Sequence, residues 1–184
     1  YVVRNFFLQK DNPDFATARL LIDKMIESQP KNNALKTLQQ TVRNHTPIAH
    51  NSSVPKFAAY DINGKQVNNA MLAKADTAVV VAWATWNYNS VSMLQTVAQI
   101  QKEKGSKMKV LGVCLDYSRS LCRTALRQRY MDDIPTVCDG KAVDGDVYNR
   151  LGMSNLPDNI VIEKGRVTAT GLTLEQLRKK LGKE

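Results

Sequence analysis

The sequence predicts an α/β domain with a central mixed sheet flanked by helices and preceded by an N-terminal helical segment. Three observations predict it. Ala78-Val79-Val80-Val81-Ala82-Trp83-Ala84 is a nearly unbroken apolar run of strand length, as a central parallel strand covered on both faces requires. Apolar strands then alternate with amphipathic helices, a pattern that implies parallel strands joined by right-handed crossovers. Finally, two short strand patterns flank Lys164-Gly165 near the end of the chain, a hairpin that adds antiparallel strands to the same sheet.

Residues 1–45 read as helices. Asn12 is an N-cap residue followed by Pro13 at the first helical position, both good starting signals. Phe15, Ala18, Ile22 and Met25 follow at helical spacing until Gln29-Pro30 stops the run. A second helix carries Leu35, Leu38 and Val42, so residues 1–45 form a helical hairpin whose apolar faces need a partner. From residue 46 to 55 the chain is polar, with Thr46-Pro47 and Asn51-Ser52-Ser53, and reads as a linker. Residues 56–184 form the main domain. Lys56 to Val67 alternates around Asn63-Gly64, a strong hairpin-turn signal. After the central strand, a helix spans Tyr88 to Lys104 and stops at Gly105. Lys109–Leu115 is the next strand, Ser118–Tyr130 the next helix and Ile134–Cys138 a third short strand. Asp144–Leu151 is a short helix, Ile160–Glu163 and Arg166–Thr170 form the hairpin, and Leu172–Leu181 closes the chain as a helix.

With 184 residues, 43% hydrophobic and 23% charged, the composition is that of a packed globular protein. No segment approaches the ~20 apolar residues of a membrane helix, and no signal peptide opens the chain. Tyr1 is not an initiator Met, so an N-terminal part carrying any export or membrane-anchoring signal is expected to precede it. The net charge of +9 is spread along the chain. Lys102, Lys104, Lys107 and Lys109 gather around a helix end, where the macrodipole favours cations. Arg119, Arg123 and Arg127 share one helical stripe, read as a solvated face. No base-stacking aromatics accompany them, so no nucleic-acid partner is expected. His45 and His50 lack nearby ligands, and Cys114, Cys122 and Cys138 have neither metal spacing nor a C-x-x-C. No metal and no cofactor is expected. The sequons at Asn44 and Asn51 are short enough to occur by chance.

At Val79-Val80-Val81-Ala82-Trp83-Ala84-Thr85-Trp86 the chain resembles the strand that enters the active site of thioredoxin-like proteins, F-W-A-x-W-C-x-x-C. About 70 residues later, Leu151-Gly152-Met153-Ser154-Asn155-Leu156-Pro157 followed by Ile160-Val161-Ile162 resembles that fold's cis-proline loop and the strand after it. Val54-Pro55-Lys56-Phe57 with Asp61-Ile62-Asn63-Gly64-Lys65 resembles the A-P-x-F…D-x-x-G-K opening of the exported bacterial TlpA/ResA-like thiol-disulfide oxidoreductases, relatives of the AhpC-like peroxiredoxins. The resemblance covers residues 52–184. It implies a thioredoxin-like fold, an exported, periplasmic or envelope setting, and a further domain before the helical segment.

The chemistry of that family rests on a cysteine at a helix N-terminus, where the dipole and free N–H groups favour the thiolate. A second cysteine one turn on resolves the mixed disulfide. On the resemblance, Asn87 stands at the attacking position and Ser90 at the resolving one, and neither forms a disulfide. The buried acid that assists proton transfer, six residues before the attacking position, is replaced by Val81. No P-x-x-x-T-x-x-C of a peroxiredoxin occurs either.

What the resemblance leaves is recognition. The residue before the cis-proline pairs with extended peptides by strand addition in this family, which here is Leu156. Trp86, Tyr88, Leu156 and Pro157 would then form an apolar rim. The expectation is a non-catalytic module binding a peptide or partner protein. The alternative is a thiol-disulfide oxidoreductase working through Cys114, Cys122 or Cys138. For these cysteines inert burial, a structural Cys114–Cys138 disulfide and a displaced redox centre all stay open.

Overall fold

Six residues of the apolar run, Ala78 to Trp83, carry the fold within the middle strand of a five-stranded sheet. The computed structural model describes residues 15–44 and 48–182. Asn12, Pro13 and His45 lie outside the described residues. The chain divides into two compact units, Tyr1–Pro47 and Ile48–Glu184.

In the first unit, helices α1 (Phe15–Ser28) and α2 (Asn33–Asn44) pair. Ala18, Ile22 and Val42 are buried between them, with Leu21, Ile26 and Leu38 partly buried alongside. Met25, expected on the apolar face, is exposed instead. A step of four from Ile22 reaches Ile26, so the packed stripe passes through Ile26. The Asn32 side chain accepts from the Leu35 N–H at 3.2 Å and caps α2 after the Pro30 break.

The second unit opens with the hairpin β1 (Ala58–Tyr60) and β2 (Gln66–Asn68), which turns through Gly64 at φ 82°. A short helix, α3 (Asn69–Ala73), leads to β3 (Thr77–Trp83). Then come α4 (Tyr88–Lys104), β4 (Met108–Cys114), α5 (Arg119–Gln128), β5 (Thr136–Val137), α6 (Asp146–Arg150), β6 (Asp158–Glu163), β7 (Arg166–Thr170) and α7 (Leu174–Lys180). The sheet order is β5-β4-β3-β6-β7. β3 and β4 are parallel, as are β4 and β5, while β6 and β7 run antiparallel on the other flank. This is the mixed sheet expected from the alternation and the closing hairpin.

Two core layers explain why β3 is apolar throughout. Val79, Val81 and Trp83 point into the layer packed by α4, α5 and α7. Ala78, Val80 and Ala82 point into the opposite layer, with Leu72, Tyr148 and Leu151. Burying each such valine is worth about 1.5–3 kcal/mol. Gly112 on β4 has no room for a side chain, because a Cβ there would meet Thr136 Oγ1 at 2.7 Å and Trp83 Nε1 at 3.1 Å. Residues 48–55, within the polar stretch, run beside β7. The Asn51 N–H donates to the Val167 carbonyl at 2.7 Å, the Val167 N–H donates back to Ser52 at 2.9 Å, and Val54 is buried. Among the described residues, no helix is long and apolar enough to cross a membrane.

Candidate functional site

The C-terminal end of β3 delivers the chain to the N-terminus of α4 through Ala84-Thr85-Trp86-Asn87. Open parallel sheets place their sites at this edge, where helix N-termini gather. Asn87 is the N-cap of α4, and its Oδ1 accepts from the Ser90 N–H at 2.9 Å. Ser90 is fully buried. Its Oγ accepts from the Ala84 N–H at 3.1 Å and offers its proton to the Asn87 carbonyl at 2.8 Å or the Ala84 carbonyl at 3.3 Å. Asn87 and Ser90 therefore close the turn between strand and helix with neutral hydrogen bonds. Neither side chain carries a sulfur.

The turn is held from β4 as well. Asp116, just past that strand and 4% exposed, accepts from the Thr85 N–H at 3.1 Å and from the Thr85 hydroxyl at 3.1 Å. Trp86 and Tyr88 project outward, 69% and 84% exposed.

The Leu156–Pro157 peptide bond is cis. Pro157 and Asn155 line a groove of about 400 Å³ with Asn89, Ser92 and Met93 of α4 and with Gly171–Leu174 beyond β7. The four residues expected to form one rim therefore separate. Pro157 lines the groove, Trp86 and Tyr88 stand exposed near its α4 end, and the Leu156 side chain packs on the core layer that contains Leu151 and Met153. No hydrogen bond among the described residues uses the Leu156 backbone.

Asp158, which follows Pro157, was not singled out by sequence reasoning. Its register partner is Ala82 on β3. It is 7% exposed. Burial raises its pKa above the ordinary carboxylate range, against the N–H groups of Ser154, Asn155 and Asn159 that donate to it. A carboxyl with a raised folded pKa contributes stability below its unfolded pKa and loses it as pH rises through the folded value. The Tyr148 hydroxyl is pushed up by burial and by the Asp158 charge, and it donates to the Asn155 carbonyl at 3.2 Å.

Beside this edge lie the three cysteines. Cys114 ends β4, Cys138 follows β5, and Cys122 sits in α5. All three are free and buried, with their Sγ atoms within 4.8 Å of one another. Cys114 donates to Asp116 Oδ2 at 3.3 Å, and as a thiol Cys138 donates to the Asp116 carbonyl at 3.6 Å. The neighbouring Cys114 and then Cys122 side chains, helped by the Gly140 N–H and the Arg119 charge, hold Cys138 below the ordinary thiol range against burial. Cys114 is pushed up, first by its hydrogen bonds with Cys122 and Cys138 and then by burial. For Cys122 the bond with Cys114 pulls down, but Cys138 and burial prevail and raise it.

The arginine stripe is partly employed. Arg123 donates to the Ile62 carbonyl at 2.6 Å and Arg119 to the Asp61 carbonyl at 3.5 Å, tying α5 to the loop between β1 and β2.

No protein-family model matches the chain, and no curated protein does. Solved structures do match. A thiol-disulfide oxidoreductase from Bacteroides fragilis is 22% identical with a TM-score of 0.61, over 71% of this chain and 97% of that one. The thioredoxin domain of a thiol-disulfide oxidoreductase from Bacteroides vulgatus is 18% identical with a TM-score of 0.61, over 73% of this chain and 96% of that one. A secreted Mycobacterium tuberculosis disulfide oxidoreductase, homologous to E. coli DsbE, is 13% identical with a TM-score of 0.57, over 68% and 93%. At these identities the likeness establishes the fold.

Proposed function

From a thioredoxin-like fold shared with solved thiol-disulfide oxidoreductases, we propose a module that binds an extended peptide or partner protein without thiol exchange at the β3–α4 turn. The observation that carries this reading is the use made of Asn87 and Ser90. Where the resemblance expects an attacking and a resolving sulfur, one amide caps the helix and one buried hydroxyl braces Ala84. Thiol–disulfide exchange needs a thiolate at the point of attack, and an amide offers none. The groove beside Pro157, the free backbone of Leu156 and the exposed Trp86 and Tyr88 support recognition of an extended chain. Main-chain pairing supplies affinity there and aromatic contacts add to it. A secreted structural neighbour supports an exported or envelope setting.

The test uses the whole chain, isotope-labelled, titrated with a permanently unfolded, cysteine-blocked polypeptide. Amide shifts are expected at Trp86, Tyr88, Asn89, Asn155, Leu156 and Gly171–Leu174, and insulin disulfides should not be reduced above a reductant control. Insulin turnover equal to that of a C-x-x-C thioredoxin would sink the reading. A second reading, an oxidoreductase working through the buried cluster, draws on the depressed Cys138. It requires turnover that disappears on Cys138→Ala.

A further inference from the structure

The cysteine cluster brings together residues that are 8 and 16 positions apart in sequence, from β4, α5 and the segment past β5. Their relative exposures are 2%, 0% and 3%. The Sγ atoms all lie within 4.8 Å of one another, and a tetrahedral zinc with Zn–S bonds of ~2.3 Å holds its sulfurs about 3.8 Å apart, so no pair has more than about 1 Å to close. Asp116 Oδ2 is 3.3 Å from Cys114 Sγ, and the carboxylate is held in orientation by the N–H and hydroxyl of Thr85.

We propose that Cys114, Cys122 and Cys138 form a thiolate site for one thiophilic d10 cation of the zinc type. Three convergent sulfurs from three elements supply three of the four positions of a tetrahedral zinc site. Thiolate ligands select soft cations over magnesium or calcium. A disulfide would use two of these sulfurs and strand the third, whereas one cation uses all three. Arg119, the first residue of α5, offsets part of the negative charge that three thiolates bring to a divalent ion. The site joins β4, α5 and β5, so its occupancy stiffens the edge of the sheet next to Thr85. The proposal does not depend on peptide binding at the groove.

The experiment takes the reduced, chelator-treated whole chain under anaerobic conditions and titrates it with Cd²⁺ as an optical probe, then with Zn²⁺. Cd²⁺ should produce a thiolate-to-metal charge-transfer band in the ultraviolet that saturates at one equivalent, and Zn²⁺ should displace it. Either ion should raise the midpoint of thermal unfolding, because binding to the folded state alone stabilises it. Cys138→Ala, checked by circular dichroism for retention of the fold, should weaken binding by at least about 100-fold, since a ligand counts for no less than the outer-shell groups whose loss costs ~10–100-fold. Absence of the band with excess Cd²⁺, with all three thiols still titrating after denaturation, would overturn the site. So would a band of undiminished affinity in folded Cys138→Ala, which places the ion elsewhere.

Discussion

Ser90 carries a hydroxyl with no access to water, and its importance lies in the backbone of Ala84. Removing it leaves the Ala84 N–H, 3.1 Å from Ser90 Oγ, without that acceptor. Ser90→Ala is therefore expected to cost ~1–3 kcal/mol, the usual penalty for a buried donor left unpaired. Asn87→Ala removes the helix cap and should cost ~1 kcal/mol. Asn87→Asp keeps the cap and adds a favourable charge at the helix N-terminus, so its stability should equal or exceed that of the parent by up to ~1 kcal/mol. Urea unfolding of the three variants measures this order. An unchanged midpoint for Ser90→Ala would show that the buried hydroxyl does not hold the turn. Both positions were legible in the sequence because they lie three residues apart on one local motif. The Asp116 clamp on Thr85 was not, since those residues are separated by 31 positions and nothing local links them. Asp158 carries no local signal either, since it stands opposite Ala82 only through the pairing of β6 with β3.

Elements with a strong period were readable, and those held by tertiary pairing were less so. Helix α4 has the bounds its pattern implies, ending at Gly105 with φ 60°. The third strand shrinks from the five residues expected to two, Thr136–Val137, because only Gly112 and Val113 of β4 pair with it. The five-residue helix α3 carries too little periodicity to be seen, and exists through the Asn68 cap on Met71 and the burial of Leu72. The cysteine cluster was legible in part: the strand–helix–strand pattern puts Cys114 and Cys138 at the ends of neighbouring strands with Cys122 on the helix between them, but the approach of all three sulfurs, each of them free, depends on how α5 packs. The N-terminus of α4 permits a direct test. In Asn87→Cys combined with Ser90→Cys, the thiol at 87 meets unpaired N–H groups and the positive end of a 17-residue helix. That environment favours a thiolate by ~0.3–1 kcal/mol when exposed and up to ~2 when partly buried. With 1.36 kcal/mol per unit, its pKa should fall about one unit below the free value of ~8.5. Thiol absorbance against pH reads this, with Cys114, Cys122 and Cys138 replaced by alanine to clear the background. A pKa at the free value, with no disulfide forming between the two, would mean that residue 87 does not occupy the helix terminus as described.

At the scale of the whole chain, the division into Tyr1–Pro47 and Ile48–Glu184 makes a claim about where stability resides. Both large core layers are built from residues 54–181 alone. The layer behind Val79, Val81 and Trp83 and the layer behind Ala78, Val80 and Ala82 share one sheet, so they should melt together. Among the described residues of the first unit, Ala18, Ile22 and Val42 are buried between its helices and Leu35 is buried as well. Two helices of 14 and 12 residues are near the length at which isolated helices are marginal in water, so the packing between them must offset the entropy of ordering them. Residues 48–184 expressed alone should therefore unfold in one cooperative transition with the near-ultraviolet dichroism of the whole chain. Residues 1–47 alone should show weak, non-cooperative helicity that rises on cooling. The decisive measurement compares the urea transition of residues 48–184 with the main transition of the full chain. Coincident midpoints are expected, because the described members of both core layers lie within residues 48–184. A truncated chain that binds hydrophobic dye and loses its near-ultraviolet signal would show that the helical segment is part of the second unit's fold, and the two-unit description would fail.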